Sequence, residues 1–332
     1  MGSSTEPQLA RACWKPSTIE AGDDAIGDLL SQVYPRQRPV TFQYGTLARV
    51  EVFRHPSEHW HYVTYGLSEL EHKQTCDPEW SGFGFELSYR LKSDSHRAPS
   101  WPARLLDTLA EYVFDTGNRF ELGDTMNIVE LMAAAQPTRL SSAIFTCDPV
   151  LDWVETANGR LQFVQVVGLT SDELETCRTW QSERFLDVLG AHNPLLVADL
   201  NRWSILSDPD VAADVAAAVE RDGSSQASLL VDECSVSQHP GGDWQIRLSV
   251  DAVRMLPRMW LHRFRHGRPF AVVGPSASVQ FTPGELVTVS GEPSRMEVCL
   301  SARVAEKLQQ ALPPEAGTYR LDVLPEIVFM VV

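Results

Sequence analysis

The chain lacks any run of 18 apolar residues, so no membrane-spanning helix is expected. Its first residues, MGSSTEPQLARACWKP, show no basic start followed by an apolar core, and no secretory signal is visible. Basic residues are scarce: 28 Lys and Arg stand against 44 Asp and Glu, a formal net charge of −16. A molecule of that charge repels phosphate, which argues against a nucleic-acid binder or an anionic-membrane binder. The six cysteines (13, 76, 147, 177, 234 and 299) are widely separated, with no CxxC pair. That spacing excludes a disulfide framework and suits buried thiols in a reducing, cytoplasmic compartment. Catalytic signatures are missing as well: there is no GxxxxGK[ST], no GxSxG and no HExxH. GFGFEL has two glycines spaced like a dinucleotide loop, but lacks the third and lies within a strand pattern.

What is present is ample for a globular core. Over 332 residues, 43% are hydrophobic and 22% charged, enough for two domains or one large one without staples. GFGFELSYRLK (82–92) alternates strictly, with Phe83, Phe85, Leu87, Tyr89 and Leu91 on one face and Glu86, Ser88 and Arg90 on the other. The pattern predicts a half-buried strand with one wet face. WHYVTYGL (60–67), LQFVQVVGL (161–169) and PLLVADL (194–200) are further strand candidates. Helices are expected from a Ser100 cap to about Asp115, stopped by Gly117, and from a Thr170–Glu173 capping box towards Trp180. Others run from Ser182 to Leu189, along Val211–Val219, and from Ser301 to Leu312. Strands are expected near 245–250, 277–281, 286–289, 296–300 and at the C-terminal end. This mixed order implies an α+β architecture. The polar RDGSS (221–225) is the best domain boundary.

Two local clusters invite a chemical reading. In HPSEHWHY (55–62), His59 and His61 share a strand face, a spacing that metal sites use, and His55, Glu58 and His72 could complete the set. The alternative is half-buried side chains satisfied by backbone groups, and no metal is expected. Arg254, Arg258, Arg263, Arg265 and Arg268, with His262 and His266, form a basic run in an acidic chain. It reads as a β-hairpin turning at His266–Gly267 with its polar face outward, or as a patch for an acidic partner.

SEHWHYVTYGLSEL (57–70), SGFGFELSYRLK (81–92), SWPARLLDTLAEYVFDTGNRFELGD (100–124) and FVQVVGLTSDEL (163–174) together resemble the suppressor-of-fused family. LPRMWLHRFRHGRPF (256–270) and LDVLPEIVF (321–329) extend the resemblance more weakly. It implies two α+β domains with a cleft between them: residues 28–225 and 226–332, after an N-terminal tail over 1–27. It also implies a non-enzymatic, cofactor-free negative regulator, which in animals holds Gli transcription factors in the cytoplasm by gripping an extended peptide as an added strand. Carried across residue by residue, Tyr112 and Phe120 match aromatic peptide contacts and Asp124 an acidic one. Leu229 and Val231 fall at the peptide-pairing strand, while Asp251 and Met255 fit an acidic and an apolar contact. Only SQHPGGDW (237–244) stands where animal members carry a long phosphorylated insertion, so the chain looks like a compact bacterial member. A toxin-neutralising immunity role and, from another class, a metal-dependent enzyme at His55, His59 and His61 are the rival readings.

Overall fold

The computed structural model describes residues 21–128, 138–239 and 242–332. The chain divides into two compact units, one running through residue 174 and resuming over 187–204, the other taking 175–186 and 205–332.

In the N-terminal unit, α1 (Gly22–Val33) precedes the strands β1 (Val40–Phe42), β2 (Arg49–Arg54), β3 (His59–Tyr65) and β4 (Trp80–Lys92). α2 (Trp101–Thr116) follows, then β5 (Thr125–Asn127), β6 (Leu140–Cys147), β7 (Val154–Thr156) and β8 (Gly159–Thr170). The eight strands form one sheet in the order β1-β2-β3-β4-β8-β6-β5, with β7 paired to β8. Only β4 and β8 run parallel. One face packs Phe85, Leu87, Tyr89 and Leu91 with Leu105, Leu106, Leu109 and Val113 of α2. The other packs Phe53, Val63 and Tyr65 with Ala25, Ile26, Leu29 and Leu30 of α1. The expected tail over 1–27 therefore overlaps α1, whose Ile26, Leu29 and Leu30 stripe is short and follows no side-chain cap.

This double cover corrects the expectation for β4. The strand is real, but its polar face is not wet: Glu86, Ser88 and Arg90 are each 0% exposed. Two further differences are local. Ser100 precedes α2 but sits in the αR region and makes no side-chain cap, whereas Gly117 ends the helix at φ +72 as expected. PLLVADL is no strand: its strand pairing with the sheet is a single isolated Leu91–Ala198 bridge.

α3 (Ser171–Thr179) starts as the capping box requires, with the Thr170 amide donating to Glu173 Oε2 at 3.0 Å. α4 (Ser182–His192) runs on through Gly190. The C-terminal unit continues with a short 3-10 turn (Ile205–Ser207) and α5 (Pro209–Asp222). Then come β9 (Ser228–Leu230), β10 (Cys234–Gln238), β11 (Trp244–Leu248), α6 (Val250–Phe264), β12 (Phe270–Val273) and β13 (Ser278–Pro283). β14 (Thr288–Glu292), β15 (Arg295–Leu300), α7 (Ala302–Ala311), β16 (Gly317–Arg320) and β17 (Ile327–Val331) complete it. Two sheets, β10-β11-β17-β16 and β14-β15-β13-β12-β9, enclose an apolar core with Leu256, Met259 and Trp260 of α6 and Leu308 of α7.

The basic run is helix α6, not a hairpin. Pro257 lies inside that helix, where it removes one backbone donor, and this hid the period from the sequence. Its charges are largely spent inside the unit. Arg263 and Arg268 both donate to the Ser224 carbonyl, at 2.9 and 3.2 Å, and the Arg265 guanidinium reaches Glu220 and Glu306. The Ser225 amide donates to the Trp180 carbonyl at 2.8 Å. RDGSS is thus a clamped crossing within the C-terminal unit and not a loose linker.

Candidate partner-binding edges

In the N-terminal unit the expected contacts Tyr112, Phe120 and Asp124 come together. α2 stops at Gly117 and the chain doubles back, driving Phe120 into the core. The Phe120 ring stacks on Phe145 with centroids 4.0 Å apart and planes 8° off parallel. On its other side Tyr112 stacks at 5.7 Å and 20°. The three rings form a column whose outer member is 38% exposed and whose inner members are buried. Aromatic packing of this kind holds a surface ring in one orientation.

Asp124 follows in a tight turn made possible by Gly123 at φ +91. The Glu121 amide donates to Asp124 Oδ2 at 2.9 Å, fixing the carboxylate. Asp124 Oδ1 has no hydrogen-bond partner among the described residues, and the side chain is exposed. The next three residues are β5, the edge of the eight-stranded sheet, paired on one side with β6 through Thr125–Ile144 and Met126–Ala143. An exposed tyrosine and an oriented carboxylate therefore flank a strand edge. That is the equipment for a segment pairing through its main chain while placing a hydrogen-bond donor on Asp124.

In the C-terminal unit, β9 is the edge of the five-stranded sheet and pairs parallel with β12. The Val231 amide donates to the Val273 carbonyl, and the Ala227 carbonyl accepts from Ala271. By strand parity the main-chain groups of Ser228 and Leu230 turn to the outer edge. Leu229 itself is 5% exposed and packs into the core, and Val231 leans on the same cluster. The apolar side chain presented at this edge is Leu230, 78% exposed, a residue the sequence reading passed over. Alternation from the buried Leu229 was the signal that could have found it. Asp251 stands exposed in the first turn of α6 and pairs with Arg254 at 2.7 Å, whereas Met255 packs against the core.

The histidines form something else. His61 lies in a buried chain of hydrogen bonds: Tyr34 Oη to His61 Nδ1 at 2.7 Å, then His61 Nε2 to Asp148 Oδ2 at 3.2 Å. Asp148 also accepts from Ser88 Oγ at 2.7 Å, Arg90 Nη2 at 2.7 Å and the amides of Val150 and Leu151. His59 Nε2 accepts from Arg90 Nη1 at 3.3 Å. These contacts fix His61 as the neutral tautomer that accepts from Tyr34 and donates to Asp148. Burial and the Arg90 charge push the imidazolium of His61 down to about 4 and that of His59 to about 3. Burial opposes ionisation of Asp148, but Arg90 and His61 outweigh it and hold the carboxyl far below the usual carboxylate range. A guanidinium thus occupies the centre a cation would need, and both ring nitrogens of His61 are taken. No group of three His, Cys, Asp or Glu among the described residues is placed to hold a metal. His72 lies away from this chain, in the wall of an open groove.

The N-terminal unit is thus a two-sided sheet with a helix on each face and β5 at its edge, and the C-terminal unit a smaller α+β unit with β9 at the edge of its five-stranded sheet. Residues 47–203 match the family model for suppressor of fused protein. The suppressor of fused homologs of Homo sapiens and Mus musculus are each 35% identical over 185 residues, 52% of this chain and 38% of each relative. The match therefore spans well under half the length of those relatives. The crystal structure of Drosophila suppressor of fused overlays 94% of this chain and 97% of its own with a TM-score of 0.73 at 20% identity, which shows the same fold. The Sufu–Fu complex crystal structure covers 60% of this chain and 98% of its own, with a TM-score of 0.54 at 27% identity.

Proposed function

We propose that this protein is a non-enzymatic regulator that captures a partner protein through an extended segment, added as a strand to an open sheet edge. The observation that carries the reading is the β5 edge, where Asp124 offers a free carboxylate oxygen beside the ring column of Tyr112, Phe120 and Phe145. Main-chain pairing supplies affinity without sequence preference, and the carboxylate selects a histidinium, lysine or hydroxyl at one position. A charge-assisted hydrogen bond contributes roughly 1.5–3 kcal/mol. Ordering a disordered segment costs about 2–5 kcal/mol, so the edge, the ring and the carboxylate must act together. The open β9 edge with Leu230 offers a second place for strand addition. Capture of a protein partner is supported by a relative solved as a Sufu–Fu complex.

The test is a pull-down of the natural partner from the source cells. Asp124→Arg is expected to abolish capture while leaving the melting temperature within about 1 °C of wild type, because the side chain is exposed. Undiminished capture by that variant refutes the reading.

A further inference from the structure

The N-terminal unit carries an open groove of about 530 Å³ on a different set of residues from the β5 edge. One wall is the segment that leaves β3 at Gly66. It is held from below by Glu86, which accepts from the Gly66 amide at 2.9 Å, the Ser68 amide at 2.9 Å and the hydroxyls of Thr64 and Ser68. Further along, Glu69 Oε1 accepts from the amides of Gln74 and Thr75 and closes that wall into a loop. The opposite wall is the end of α2 with the start of β4. There Phe114, 45% exposed, meets Phe83 edge-to-face at 5.2 Å.

The walls meet at the floor, where the Phe83 amide donates to the Leu67 carbonyl at 2.9 Å. This approach requires Gly82. Its φ is +57, and a Cβ there would lie 2.7 Å from the Leu67 oxygen. The GFGF motif thus shapes a groove and presents its aromatic corner.

At the mouth stands Arg119, exposed, with no hydrogen bond, ion pair or ring contact among the described residues. In a chain of net charge −16, an open guanidinium beside an exposed phenyl ring is complementary to a carboxylate carried next to an apolar side chain. Glu71, also lining the groove, disfavours a run of acidic residues and restricts the match to a single carboxylate.

We propose that this groove is a second docking site, taking a partner segment in which a large aromatic or aliphatic side chain seats on Phe83 and Phe114 and a nearby carboxylate pairs with Arg119. The site is separate from the strand edge and does not depend on it.

The experiment uses the full chain and fluorescence polarisation with end-blocked, labelled hexapeptides containing Trp-Ala-Glu, Trp-Ala-Lys or Ala-Ala-Glu. The Trp-Ala-Glu probe is expected to bind best, with about tenfold losses for each of the others. Arg119→Glu should reverse the preference towards Trp-Ala-Lys, and Phe114→Ala should remove the advantage of Trp. If Arg119→Glu lowers the melting temperature, Arg119→Gln takes its place and should abolish the distinction between Glu and Lys. Asp124→Arg should leave probe binding intact. The proposal is overturned by absence of saturable binding, by indifference to the Arg119 and Phe114 changes, or by loss on Asp124→Arg, which would seat the probe at the strand edge. It is equally overturned if indole-3-propionate alone binds as tightly as the peptide, since the groove then serves a small carboxylate.

Discussion

The two units fill their interiors in different ways. In the N-terminal unit a layer of charged and polar side chains lies sealed beneath α1: Glu86, Ser88 and Arg90 from β4, His59 and His61 from β3, Gln165 from β8, and Asp148. In the C-terminal unit the core between the two sheets is apolar, and Ser224 and Arg263 gather instead at the clamp around the α5 terminus. An apolar core tolerates volume-conserving exchange. A buried polar layer does not, because each group left alone keeps its full desolvation penalty. The first unit should therefore be the more brittle under point substitution and under acid.

The sharpest way to break this contrast is Asp148→Ala. It strips the acceptor from Arg90, His61 and Ser88 at once, and the expected loss is about 3–5 kcal/mol, read by denaturant unfolding followed with probes in each unit. A comparable loss from a mild polar substitution in the second unit would erase the distinction. Leu308→Ala, in the apolar core, should cost about 2–4 kcal/mol and, unlike the first change, should leave the pH dependence of stability alone.

Acid gives the next test. His59 and His61 are neutral when folded, with pKa values near 3 and 4, below the ordinary 6.5 that the unfolded chain shows. Their stabilisation is complete above pH 6.5 and falls as pH drops from 6.5 towards 4, because the unfolded state takes up protons that the native state refuses. Two such groups give a slope of at most about 2.7 kcal/mol per pH unit. In the C-terminal unit, burial lowers His262 alone in the same direction, so at most half that slope is expected there. Equal acid sensitivity of the two units in calorimetry would count against the picture. Smallest of all, Asp251→Ala should change stability by no more than about 0.5 kcal/mol, since its pair with Arg254 is solvent-exposed.

Much of this fold was legible in the sequence where periodicity and punctuation agree. The alternation of Phe83 to Leu91 located β4, Gly117 ended α2, and Thr170 with Glu173 opened α3. What alternation could not give was the fate of the polar face, since Glu86, Ser88 and Arg90 read as solvated until α1 and the distant Asp148 cover them. Pro257 concealed α6 by interrupting an otherwise amphipathic pattern. At the candidate edges, Tyr112, Phe120 and Asp124, which the resemblance implies as peptide contacts, lie on one stretch where α2 ends and β5 begins. In the second unit the alignment fell one residue away from the exposed position. Leu229 is core and Leu230 faces out, because a three-residue strand offers too few positions to fix its parity.

The open margin at β9 has a further meaning for the life of the molecule. Unsatisfied amides beside a bare leucine will accept any extended chain, including another copy of this one, so solitude is hazardous for such a surface. A segment paired there would cover the exposed leucine and close that margin to a second copy.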